Sequence, residues 1–171
     1  MKIKRMTICA MLCAINVVLS ILAPIKLANF KFTFEAFPIL IGGIMYGPSM
    51  GLLIGTLGST IYQIFFSGYG LTITTPLWVL PHALSGLIVG IYTKKNNFNL
   101  NKKQLITITM ISAFLVTILN TVAQYIDAYI FDYPYAMVIL TMLMKIISGI
   151  ILSIIYSLII DKLISRINIK L

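Results

Sequence analysis

A lysine inside an apolar stretch is the residue of this sequence with the clearest potential for binding chemistry. Lys145 lies in the run from Ala136 to Ile160, roughly 13 Å from its start at about 1.5 Å per helical residue. A charged side chain at such a depth is costly and usually has a functional role. Its ammonium group would need a carboxylate of the chain, an anionic ligand or a partner subunit beside it.

Polar side chains also recur on one face of the preceding apolar segment. Asn120, Gln124 and Asp127 follow the spacing i, i+4, i+7, which places them on one side of a helix. If the two segments form a hairpin, Lys145 comes near the level of Asn120 and Thr121. Two main interpretations stay open: a Lys145–Asp127 ion pair that locks the hairpin, or a polar pocket in which Lys145 binds an anionic ligand.

Small and polar side chains continue from Lys145 along its own segment. They are Ser148, Gly149, Leu152, Ser153 and Tyr156. Because they share one helical face, we predict that they form one wall of the pocket. Lys145 would then be the floor of a cavity that opens outward.

Four further residues are candidate ligand contacts, and two of them have alternative structural roles. His82 follows Trp78 by one helical turn; it is either a hydrogen-bonded packing residue or a donor or acceptor beside the stacking face of Trp78. Glu35 would cap a helix N-terminus or bind a ligand amine. Tyr62, in a glycine-rich segment, is the fourth candidate.

The elements that must position these residues are membrane helices. The chain of 171 residues is 60% hydrophobic and 10% charged, with a mean hydropathy of +1.02, and no Asp, Glu, Lys or Arg occurs from Ala36 to Thr93. An uncharged run of this length does not form the surface of a soluble domain, and it can cross a ~30 Å hydrocarbon layer more than once. No long polar linker divides the chain, so we expect a single membrane domain over 1–171.

Prolines and glycines divide the chain into six predicted spans. They cover about 6–23, 36–46, 48–66, 76–93, 104–130 and 136–160. Most of the 13 basic residues then flank one side, and the positive-inside rule places that side in the cytoplasm. We therefore predict an all-α integral membrane protein, a six-transmembrane-helix bundle with cytoplasmic N- and C-termini. Basic residues at span ends, rather than in one patch, exclude nucleic acid as a partner.

The predicted outward connections are rich in aromatic residues. The aromatic residues in and beside them are Phe30, Phe32, Phe34, Phe37, Tyr69, Tyr133 and Tyr135. They form either an aromatic belt at the membrane interface or a lid whose rings stack on a flat ligand, and Phe34 is the one we select as a ligand contact. The stretch from Phe30 to Glu35 alternates like a strand.

Motifs of common enzymes are absent from the sequence. There is no Walker A loop, G-x-S-x-G, H-E-x-x-H or Cys/His cluster, so we expect no enzymatic activity, no ATP hydrolysis and no cofactor or metal. Cys9 and Cys13 are most simply small apolar side chains. No small-residue cleavage site follows the first apolar segment, and we expect that segment to be retained as a helix.

Several sequence blocks resemble substrate-binding S components of energy-coupling factor (ECF) vitamin transporters. The stretch from Phe32 to Gly55, with the Gly47-Pro48 turn and a glycine-spaced helix, is similar to their second and third helices. The block from Thr75 to Leu87 resembles the fourth helix of some members. Ala10-xxx-Ala14 matches the first-helix motif by which the family contacts its coupling subunit.

The resemblance implies a six-helix protein of the bacterial plasma membrane that captures a vitamin from outside. Such a protein topples against a transmembrane coupling subunit, driven by two cytoplasmic ATPases, and Ala10 and Ala14 would make the contact. Lys145 and the aromatic connections favour an anionic vitamin, folate-like or pantothenate-like, although Gly58-Ser59 stands where folate-type members often carry an acidic residue. The alternative is a stand-alone secondary transporter or channel for a small molecule.

Overall fold

The computed structural model describes residues 2–22, 25–27, 30–32, 34–68, 70–132 and 134–167. This part of the chain forms six α-helices and a two-stranded antiparallel hairpin. The elements in chain order are α1 (Lys2–Leu22), β1 (Ile25–Leu27), β2 (Phe30–Phe32), α2 (Ala36–Tyr46), α3 (Pro48–Phe65), α4 (Thr75–Lys95), α5 (Lys102–Phe131) and α6 (Tyr135–Ile167).

The hairpin is the departure from the predicted all-α architecture. Ile25 pairs with Phe32 and Leu27 with Phe30, so the strand-like alternation noted from Phe30 onward includes a real strand. A helix also lies over each predicted span, and the largest difference in bounds is at α6. That helix ends at Ile167, where we expected it to end at Ile160.

Four helices in the described part of the chain are long and apolar enough to cross a membrane. These segments are Ile3–Leu22, Thr75–Lys95, Lys102–Phe131 and Val138–Arg166. Helix α2 is apolar but has only 11 residues, which at about 1.5 Å per residue is roughly half of a hydrocarbon layer. The count of six spans, and the side on which the termini lie, stay predictions.

A tight turn joins α2 to α3. Gly47 has a φ of 91°, a left-handed conformation that glycine adopts without a steric penalty. Its N–H donates to the carbonyl of Gly43 at the end of α2. Pro48 then occupies the first position of α3, where its missing N–H and fixed φ suit a helix start. The two short helices therefore reverse direction within one residue.

Helices α3 and α4 approach each other through glycines. A Cβ atom added at Gly86 would collide with the carbonyl group of Gly51, and one added at Gly51 would collide with that of Gly86. Only residues without side chains permit such close backbone packing. Because the same seam places Gly55 against the carbonyl of His82, it also fixes the position of His82.

Two apolar clusters fill the described bundle. One joins α2, α4, α5 and α6 around Leu40, Val89, Ile108 and Ile160. The other joins α1, α2 and α3 and includes Cys9, Cys13, Ile39, Met50 and Ile54. The two cysteines are free thiols in this second cluster, where they pack as small apolar side chains.

Candidate functional site

A cavity of about 150 Å³ lies between α2, α4, α5 and α6. Its α6 wall consists of the face that the sequence singled out: Lys145, Ser148, Gly149, Leu152, Ser153 and Tyr156. The start of α2 contributes Glu35, Ala36 and Leu40, and α4 contributes His82. Polar and apolar groups therefore alternate around a space inside the bundle, as in sites for small organic molecules.

The α5 wall is more polar than the sequence analysis expected. It consists of Thr109, Ser112, Ala113, Val116, Thr117 and Asn120. Of these, only Asn120 was a predicted contact. The hydroxyl residues repeat at i, i+3 and i+8 before Asn120 at i+11, a helical period. That pattern was available in the sequence, but threonine and serine are common enough in membrane helices to conceal it.

Lys145 is held by two side chains of neighbouring helices. Its Nζ donates to Oε1 of Gln124 at 2.9 Å and lies 5.9 Å from the ring centroid of Trp78, a distance that permits a cation–π interaction. Gln124 Oε1 also accepts from the Thr141 hydroxyl at 3.0 Å. Lys145 thus lies at the level of Gln124, one turn from the level that the hairpin argument predicted.

Asp127 is not the partner of Lys145 in the described structure. Its Oδ2 accepts instead from the indole Nε1 of Trp78 at 2.8 Å. We predicted that the Trp78 ring would stack on the ligand. In the structure this ring does not line the cavity and lies beside the Lys145 ammonium. The ion-pair interpretation of Lys145 therefore gives way to an ammonium without a carboxylate partner among the described residues.

Asn120 adds an unused acceptor near this cation. Its side chain lines the cavity, and its Oδ1 is buried without a hydrogen-bond partner in the described structure. A buried amide oxygen without a donor is costly. A ligand with a hydrogen-bond donor would remove that cost.

Glu35 connects three helices at another part of the cavity wall. Its Oε2 accepts from the Ser20 hydroxyl at 2.8 Å, and its backbone carbonyl accepts from Asn16 Nδ2 at 2.6 Å. Its Oε1 lies 3.6 Å from Nε2 of His82. Glu35 occupies the N-cap position of α2 but makes no side-chain capping bond. Its carboxylate instead contacts Ser20 of α1 and His82 of α4, and Glu35 lines the cavity.

The two charged groups lie toward opposite ends of the cavity. Along α6, the lining runs from Lys145 to Tyr156, a distance of roughly 16 Å at about 1.5 Å per residue. The rings of Phe34 and Phe37 pack on Tyr156, with centroids 6.5 and 5.6 Å away, next to Glu35 in sequence. Lys145 is at the end nearer the α5–α6 connection, so in the predicted orientation it lies at the mouth and not, as we expected, at the floor.

The remaining predicted residues lie elsewhere. Tyr62 is on α3 and is not among the described residues that line the cavity. Ala10 and Ala14 are exposed on the same face of α1, about 100° around the helix from the buried Cys9 and Cys13. Tyr69 and Tyr133, and the side chains of Phe30 and Phe32, lie outside the described residues. Within the described ranges, no cluster of His, Cys, Asp and Glu suits a metal ion.

Comparison with known proteins gives both a family and a fold. Residues 4–160 match the family described as ECF transporter, substrate-specific component. The S component for biotin from an ECF-type ABC transporter is similar in structure, with a TM-score of 0.72 and 16% identity over 95% of this chain and 91% of that one.

Two other solved structures are also similar. The S component of a bacterial ECF transporter has a TM-score of 0.67 and 20% identity, covering 98% of this chain and 97% of its own. FolT bound with folic acid has a TM-score of 0.62 and 20% identity, covering 88% and 89%. At these identities the structures establish a shared fold. No curated protein sequence matches the chain.

Proposed function

The chain belongs to the family of substrate-specific components of ECF transporters, and we propose that it is the vitamin-capture subunit of an ATP-driven importer. The observation that carries this proposal is the Lys145 ammonium in the wall of an internal cavity. An ammonium carries three donors, and Gln124 accepts one of them. Since a buried cation without a carboxylate partner is costly, an anionic ligand is its natural complement.

The ligand is a small vitamin that carries a carboxylate. Folate-like compounds are the first candidates and pantothenate-like compounds the second, as the family resemblance suggested together with Lys145 and the aromatic connections. The similar structures support this chemical class, because one is an S component for biotin and another is FolT bound with folic acid, and both compounds are carboxylic acids. Asn120, Gln124, His82, Glu35 and Phe34 complete or support the site.

Transport requires partners that this chain lacks. A membrane coupling subunit binds α1 at its exposed Ala10–Ala14 face, since small side chains let helices approach closely. Two cytoplasmic ATPases supply the energy, and the chain itself is neither an enzyme nor dependent on a cofactor. It lies in the bacterial plasma membrane as six spans, with both termini in the cytoplasm.

The decisive experiment separates capture from transport. The purified chain in detergent should retain a vitamin that mass spectrometry identifies, and calorimetry should show that the chain binds it alone. Liposomes that contain only this chain should not accumulate the labelled vitamin, whereas liposomes with the coupling subunit, ATPases and ATP should. Uptake by the chain alone would instead support a secondary transporter or channel and would refute the proposal.

A further inference from the structure

Glu35 places a second charge, of opposite sign, in the wall of the cavity that contains Lys145. Along α6, the lining between the two ends runs roughly 16 Å from Lys145 to Tyr156 at about 1.5 Å per residue. A ligand with negative charge at both ends would be repelled by the Glu35 carboxylate. The negative group of a bound molecule must therefore lie at the Lys145 end, which leaves a different chemistry for the Glu35 end.

The Glu35 end offers hydrogen-bond acceptors. A carboxylate has about four lone-pair sites, and among the described side chains only the Ser20 hydroxyl forms a hydrogen bond with it. Oε1 lies 3.6 Å from His82 Nε2, and a neutral imidazole carries one donor and one acceptor nitrogen. Nδ1 of His82 has no hydrogen-bond partner among the described residues, although His82 is only 8% exposed.

The surroundings of these acceptors suit an uncharged group. Ala36, Leu40 and the Tyr156 ring line the same end, and apolar walls disfavour an unpaired charge. N–H groups of a cyclic urea, lactam or amide would satisfy the acceptors without introducing a charge. A group that carries only acceptors would leave Glu35 and His82 unsatisfied.

From these contacts we infer that the cavity selects a bipolar ligand and binds it in one orientation, with its carboxylate at Lys145 and an uncharged N–H donor head at Glu35 and His82. This inference rests on the proposed function, because it concerns the ligand of the same site. It adds that Glu35 determines specificity at the end that Lys145 does not reach. It favours ring-headed carboxylic acids over acids without N–H donors.

The test measures dissociation constants of the full chain in detergent for biotin, folic acid and pantothenate. For each probe that binds, two derivatives are measured. One has every carboxylate converted to a carboxamide, two of them in folic acid, which removes the negative charge. The other is methylated at the N–H donor, on the ring of biotin or folic acid or on the amide of pantothenate, which removes the donor. On the wild-type chain each derivative should bind at least about tenfold more weakly than the parent probe, as expected for the loss of a hydrogen bond to a charged group. These ligand-side comparisons need no variant that might fold poorly.

Two variants then assign each loss to one end of the cavity. Lys145→Met should bind the acid and its carboxamide with similar affinity and still discriminate against the N-methyl derivative. Glu35→Gln should bind the N–H ligand and its N-methyl derivative with similar affinity and still discriminate against the carboxamide. This substitution keeps the shape of the side chain but removes its charge and half of its acceptor capacity. Since Lys145 and Glu35 share no partner among the described residues, the losses should be additive in the double variant.

Ser20→Ala is the matched control for a merely structural role of Glu35. It removes the hydrogen bond that anchors Glu35 to α1 without changing a cavity-lining residue, and it should keep both discriminations. The inference is overturned if Glu35→Gln retains full discrimination against the N-methyl derivative, or if Ser20→Ala loses it equally. Absence of binding by all three probes would instead refute the proposed vitamin function, and this inference with it.

Discussion

The indole N–H of Trp78 donates to Oδ2 of Asp127 at 2.8 Å and so ties α4 to α5. We expect Trp78→Phe to keep an aromatic ring beside Lys145 but to leave the Asp127 carboxylate without this donor. The lost bond and the unsatisfied carboxylate should lower the free energy of unfolding by about 1–2 kcal/mol. Denaturant unfolding in detergent measures this loss.

A double-mutant cycle tests the assignment of that loss. In an Asp127→Leu background no carboxylate remains to be satisfied, so Trp78→Phe should then cost much less. Equal losses in both backgrounds would show that the indole contributes through packing alone.

Lys145→Met removes the ammonium and retains most of the side-chain volume. If the ligand is a carboxylate, its dissociation constant should rise by about tenfold to a hundredfold, since hydrogen bonds to charged groups contribute about 1.5–3 kcal/mol. Lys103→Met, at an exposed position near the start of α5, is the control and should bind normally. An unchanged dissociation constant for Lys145→Met would remove this residue from the site.

Ala14→Trp places a large ring on the exposed face of α1. The variant should bind the vitamin with wild-type affinity, because Ala14 does not line the cavity, but it should block close contact with the coupling subunit and abolish ATP-driven uptake. Ala10→Trp should behave in the same way. Leu158→Trp, on an exposed face of α6, is the control. Normal uptake by both alanine variants would argue against docking at this face.

Gly86→Ala tests the seam between α3 and α4. The added Cβ would collide with the backbone of Gly51, so the helices must separate, and overpacking of this kind typically costs about 1–3 kcal/mol. Gly149→Ala is the control for stability, because a Cβ there meets its nearest neighbour, Ala113, at 3.5 Å, an ordinary contact. Thermal unfolding in detergent should separate the two variants, and equal midpoints would contradict the structure.

Patterns within one helix were the features most accessible from sequence. The face from Lys145 to Tyr156 lines the cavity because residues at helical spacing share a side whatever the helix packs against. The tight turn at Gly47 and Pro48 also follows from local chemistry.

Relationships between helices were less accessible. The partner of Asp127 depends on how α4 and α5 are rotated about their axes, and no local spacing reports that rotation. The same limit applies to Lys145, whose neighbours belong to two other helices. In the predicted orientation Lys145 lies at the mouth rather than at the floor, and this depends on where α2 begins, since Glu35 and Tyr156 define the other end.

Main-chain atoms alone determine the spacing between α3 and α4 at Gly51 and Gly86. Replacements on other faces of these helices leave that spacing unchanged, whereas most of the cavity wall comes from α5 and α6. The spacing of the α3–α4 pair is thus fixed by the backbone, whereas the side chains with which α5 and α6 line the cavity can vary. Substitutions on α5 and α6 can therefore change most of the cavity wall while the α3–α4 seam keeps its spacing.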